Sequence, residues 1–83
     1  MNLPKTKELE KGLQVLLKKE GVSFRKVAVD IIGADSHGYV LEYSVRVAND
    51  NYEQIRRVLL RNFTNILVET EFKLVRGILF IEA

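Results

Sequence analysis

Apolar positions along this chain repeat with two different periods, and the switches between periods mark six elements. Over residues 5–20, Leu9, Leu13, Leu16 and Leu17 share one face at the three-to-four spacing of an amphipathic helix. Pro4 suits its first turn, and Gly21 suits the position just past its end, where positive φ is cheap. Gly12 stands inside that helix at a cost of about 1 kcal/mol against alanine. The period then falls to two. Val27, Val29 and Ile31 take one side of a strand, with Lys26, Ala28 and Asp30 on the other. Residues 33–38, with a glycine at each end flanking Asp35, Ser36 and His37, read as a hairpin loop. A second strand over 39–47 sets Tyr39, Leu41, Tyr43, Val45 and Val47 against Val40, Glu42, Ser44 and Arg46.

A second helix follows. Asp50 with Glu53 three residues later has the spacing of a capping box, and Tyr52, Ile55, Val58, Leu59 and Phe63 form its apolar stripe. Residues 62–65 end it. Alternation then resumes, with Ile66, Val68, Thr70 and Phe72 on one side and Leu67, Glu69, Glu71 and Lys73 on the other. Arg76 and Gly77 read as the turn into Ile78–Ile81, which is apolar on both faces and therefore suits a central strand.

The order helix–strand–strand–helix–strand–strand predicts a single α+β domain over residues 1–83. Moving the first strand of the ferredoxin-like βαββαβ order to its end yields αββαββ. The expected architecture is thus a circularly permuted, ferredoxin-like two-layer sandwich: a four-stranded antiparallel sheet, ordered third, fourth, second, first, with two helices on one face. Alternation places Lys26, Ala28, Asp30, Val40, Glu42, Ser44, Arg46, Leu67, Glu69, Glu71, Lys73, Leu79 and Ile81 on the open face.

Composition narrows the chemistry. A chain of 83 residues has room for one core. No apolar run approaches the ~18 residues of a membrane span, and Met1 opens no signal-peptide pattern. Thirteen basic against eleven acidic residues leave a net charge of +2, a small footprint for nucleic-acid binding despite a pI near 9.0. The absence of cysteine excludes disulfides, zinc–thiolate sites and thiol nucleophiles, and suits cytoplasm and periplasm equally.

Candidate reactive groups are few. Asp35, Ser36 and His37 are nearly consecutive, so they cannot converge as nucleophile, base and orienter, and read as turn chemistry; Asp35 and His37 lack further metal ligands nearby. Glu69 and Glu71 share a strand face and read as a solvated pair. Lys7, Lys11 and Lys18, and likewise Arg56, Arg57 and Arg61, lie opposite the apolar stripes of their helices, as solvent-facing surfaces or as contacts for phosphates or anionic lipid heads. Parity puts Tyr39 and Tyr43 inward and no aromatic on the open face, which argues against base stacking there. No glycine-rich phosphate loop is present. No catalytic, cofactor-binding or metal-binding residue is assigned.

The αββαββ order resembles the small periplasmic domains of type II secretion and type IV pilus assembly-platform proteins. Similar local texture is found in Leu16–Val22, where a helix ends in a glycine turn. It recurs in Val47–Tyr52, which leads through a polar loop into a helix that starts with an aromatic, and in Arg76–Phe80, a glycine followed by an apolar strand. Asp35–Tyr43 also looks like a stretch of a ferredoxin-like small-subunit ribosomal protein, a likeness of fold alone. The first resemblance implies a non-enzymatic dimerisation module in the periplasm, with a membrane helix upstream of Met1. Its partner would be a homodimer or homologous heterodimer mate, met through an edge strand (Lys26–Ile32 or Ile66–Phe72) or a helix face. The alternatives are a nucleic-acid-binding module using the basic helix faces and, without the resemblance, a cytoplasmic setting.

Overall fold

The computed structural model describes residues 5–82, so the placement expected for Pro4 lies outside the described residues. Six elements follow in chain order: α1 (Thr6–Lys19), β1 (Phe24–Asp35), β2 (Gly38–Val47), α2 (Tyr52–Asn62), β3 (Ile66–Glu71) and β4 (Leu74–Glu82). The four strands form one antiparallel sheet in the order β1-β2-β4-β3. That is the strand order expected from the element sequence, with the last strand inside the sheet. Leu13 and Leu17 of α1 and Ile55, Val58 and Leu59 of α2 join a single core with Val27, Val29, Leu41, Tyr43, Val45, Val75 and Leu79. Both helices therefore cover the same face of the sheet.

α1 stops where glycine was expected to stop it. Gly21 takes φ 73°, and its N–H donates to the Lys18 carbonyl (3.0 Å) while the Val22 N–H donates to that of Leu17 (2.9 Å). This pair of bonds closes the helix with Val22 folded back against Leu17, both buried.

Three local expectations are overturned. Asp50 does not cap α2: it adopts φ 52°, and the residue at the N-cap is Asn51, which makes no side-chain capping bond. The Asn51 amide is committed elsewhere. Its Oδ1 accepts from the Ala48 N–H (3.3 Å) and its Nδ2 donates to the Ser23 carbonyl (2.7 Å), tying the start of α2 to the lead-in of β1. The first hairpin loop is also much shorter than six residues. β1 runs on to Asp35, with Ile32 bulged out of the ladder, and only Ser36 and His37 turn. The edge strands are accordingly Phe24–Asp35 and Ile66–Glu71.

The third correction concerns Gly77, which lies within β4 and turns nothing. The β3–β4 turn is Phe72–Lys73, where Lys73 takes the left-handed conformation (φ 61°). Gly77 pairs with Tyr43 on one side and Val68 on the other. A Cβ there would stand 1.8 Å from the Leu67 carbonyl oxygen and 2.9 Å from Tyr43 Oη. The buried Tyr43 ring passes over this gap, and its hydroxyl donates to the Leu67 carbonyl (2.7 Å). Burial, with a smaller contribution from the Glu69 carboxylate, pushes the Tyr43 hydroxyl far above its ordinary range.

Register then sets the faces of β4. Leu79 lies opposite Leu41 and Val75 opposite Val45, both pairs under the helices. Ile81 lies opposite Tyr39 on that side too. Ile78 and Phe80 face the uncovered side, so the expected open-face places of Leu79 and Ile81 are corrected by one residue.

Two opposite outcomes test the glycines. Gly77→Ala lowers stability by about 3 kcal/mol through the backbone collision, whereas Gly12→Ala raises it by up to about 1 kcal/mol, since nothing lies within 4 Å of the added methyl. Urea titration with a common slope reads both. A second outcome follows from the folded state holding the Tyr43 proton more tightly than the unfolded chain does. Stability is fully kept below about pH 10 and falls as pH rises beyond it. Tyr43→Phe loses about 1 kcal/mol at neutral pH and flattens that alkaline fall, read by urea titrations between about pH 9 and about pH 11.

Candidate functional site

The uncovered sheet face carries an apolar strip. Val40 on β2 lies opposite Phe80 on β4, and Ile78, two residues along β4, lies opposite Leu67 on β3. Alternation along β4 and cross-strand pairing bring these four side chains together, and the strip ends at the edge strand, where Leu67 is 65% exposed. Beside Leu67 opens a shallow recess of about 360 Å³, lined in part by Asn65, Ile78 and Phe80. Arg76 flanks the strip and donates to Glu42 (3.4 Å) and Glu71 (3.3 Å), so its positive charge is offset by two carboxylates.

The remaining expected face residues on β1, β2 and β3 are where alternation placed them: Lys26 opposite Arg46, Ala28 opposite Ser44, Asp30 opposite Glu42, and Glu69 and Glu71 on β3 opposite Arg76 and Leu74. Lys73 is in the turn. The expectation of no open-face aromatic is overturned by Phe80, while Tyr39 and Tyr43 face inward as expected. Phe72, assigned to the inner face, projects from the turn and is 88% exposed.

Asp35, Ser36 and His37 form a turn. Asp35 Oδ1 accepts from the backbone N–H groups of His37 (2.8 Å) and Gly38 (3.2 Å), which occupies the carboxylate in shaping the reversal. Among the described residues, no three of His, Cys, Asp and Glu gather closely enough to hold a metal ion. Glu71 is engaged by Arg76, and Glu69 adds its field to Tyr43.

The basic helix stripes lie on two helices that cover different strands. α1 lies over β1, and α2 over β3 and β4. Lys7, Lys11 and Lys18 are exposed on the first, and Arg56, Arg57 and Arg61 on the second. Arg56 pairs with Glu53 (3.8 Å) and Arg61 with Glu20 at the end of α1. Alongside α1 a cleft of about 240 Å³ runs between Leu9, Gly12 and Phe63, floored by Leu41, Leu79 and Ile81 and rimmed by Glu8.

Sequence reasoning missed Ile78 and Phe80 because a run that is apolar at every position carries no parity of its own. The missing signal was the register of β4 against β2, whose alternation is unambiguous. No family model, curated protein or solved structure matches this chain.

The turn role of the Asp35 segment has a simple outcome. Asp35→Ala destabilises by about 1 kcal/mol through two unanswered N–H groups, whereas His37→Ala stays within about 0.5 kcal/mol of the parent. Thermal melts of the two variants side by side distinguish them.

Proposed function

We propose that this chain is a non-enzymatic protein–protein interaction module that associates with a second copy of itself through the uncovered face of its sheet. The observation that carries this is the position of Leu67. It stands exposed on an edge strand, at the end of an apolar strip, directly beside a recess of matching character. A two-fold axis at this place seats each Leu67 in the other copy's recess, an arrangement in which knob and hole are supplied by the same patch. Arg76 pairs with both Glu42 and Glu71, which lowers the carboxylate repulsion that would oppose such a contact while leaving a net negative charge beside it. The neighbouring edge of β3, six residues without a bulge, offers unpaired backbone groups to the same partner.

The permuted ferredoxin-like description belongs to this reading, supported by the order β1-β2-β4-β3 that such a permutation requires. So does a place among the assembly-platform domains of type II secretion and type IV pilus systems, with a copy or a homologous chain as partner and the periplasm as setting. No described helix is long and apolar enough to cross a membrane.

Sedimentation equilibrium between about 10 µM and about 500 µM is the test. The parent chain is expected to approach twice its monomer mass, and Leu67→Glu to remain monomeric while keeping its melting temperature, since the side chain is largely in solvent. A parent chain that stays monomeric throughout contradicts the proposal.

A further inference from the structure

We infer that the end of the sheet opposite the apolar strip is a binding site for single-stranded nucleic acid, with a phosphate held among Arg25, Arg46 and Lys73 and a base stacked on Phe72. The three cations come from the first residues of β1, the last of β2 and the β3–β4 turn, and they line one polar pocket of about 280 Å³. Among the described residues none of the three forms an ion pair, although Arg56, Arg61 and Arg76 all do. The acidic group lining the pocket, Asp50, makes no ion pair with them. Three cations against one carboxylate leave the concavity net positive, which raises the local concentration of anions.

The pocket is firmly built. The Lys73 carbonyl accepts from the Val47 N–H (3.1 Å), and the Lys73 N–H donates to the Tyr52 hydroxyl (2.6 Å). Asn51 fixes the opposite wall through Ser23. Lys73 also holds a backbone conformation that glycine would adopt more cheaply, so folding alone does not favour lysine there. Phe72 precedes it in the turn, 88% exposed, with the Lys73 ammonium 5.6 Å from the ring centroid. An exposed ring beside a cationic pocket is the pairing that single strands use, with stacking on the base and ionic contact to the phosphate. A flat anionic membrane fits less well, because it would meet Asp50 and Glu71 together with the cations.

This site is independent of the self-association surface: Arg46 and Leu74 pair at one end of the β2–β4 ladder, Val40 and Phe80 towards the other. The test is fluorescence anisotropy with a labelled ten-nucleotide oligouridine and the full chain at about 50 mM NaCl. A Kd between about 1 µM and about 100 µM is expected, with a log–log salt slope near −2 from roughly 0.7 ion per phosphate contact. Phe72→Ala is expected to weaken binding roughly tenfold, and Arg46→Glu to abolish it. Lys73→Gly separates binding from folding: the variant melts no lower than the parent, yet its salt slope shrinks by about one contact. No binding by the parent overturns the proposal. So does parental affinity in both Arg46→Glu and Lys73→Gly, which would place the ligand elsewhere, as does binding to phosphatidylserine vesicles without binding to the oligomer.

Discussion

The Tyr43 hydroxyl reaches across the middle of the sheet to the Leu67 carbonyl, and Gly77 leaves the room for it to do so. The contact joins β2 to β3 over the intervening β4, three strands that local sequence alone does not align. It buries a large ring in the centre of the core while giving its one polar atom a partner, the condition under which a buried tyrosine is stabilising. Because it ties Tyr43, Gly77 and Leu67 to one another, it allows one register. A slip by one residue would put a side chain where only glycine fits and leave the hydroxyl buried without an acceptor. The same register sends Leu79 and Ile81 under the helices and Ile78 and Phe80 out. The apolar strip on the uncovered face thus follows from the packing of the covered one.

The ends of the sheet are held by polar contacts. Asp35 shapes one reversal; Asn51 ties the entry of α2 to Ser23; Tyr52 holds the tip of the β3–β4 hairpin by the Lys73 N–H. A domain of this size buries a limited apolar area, so stability is modest and such tethers matter in proportion. They also have a directional effect. Asn51 and Tyr52 anchor the two segments that bring Arg25 and Lys73 beside Arg46, gathering three positive charges in a protein whose net charge is only +2.

Apolar and cationic surfaces are thereby separated along the sheet. The strip around Leu67 and Phe80 has its nearest arginine engaged by two carboxylates, whereas the pocket at the other end keeps its cations without ion pairs. Net charge averaged over the chain hides this separation. Arg56 pairs with Glu53 one turn away on α2, whereas Arg61 is engaged by Glu20 at the end of α1, a partner the helical pattern alone does not reveal.

The sequence by itself determined the six elements, the glycine stop at Gly21 and the inward faces of β1 and β2, because these depend on periodicity and on the conformational freedom of single residues; the strand order was anticipated only by analogy with a known topology. Tertiary structure decided what depends on partners distant in the chain. Gly77 looks like a turn residue until Tyr43 and Leu67 close in on it. Asp50 looks like a cap until Asn51 binds Ser23. The Ile78–Ile81 run has no face until β2 lends it one. The candidate sites fall on that second side. Leu67, Ile78 and Phe80 become one surface, and Arg25, Arg46 and Lys73 one pocket, through cross-strand pairing, which no local pattern of hydrophobic and polar residues encodes.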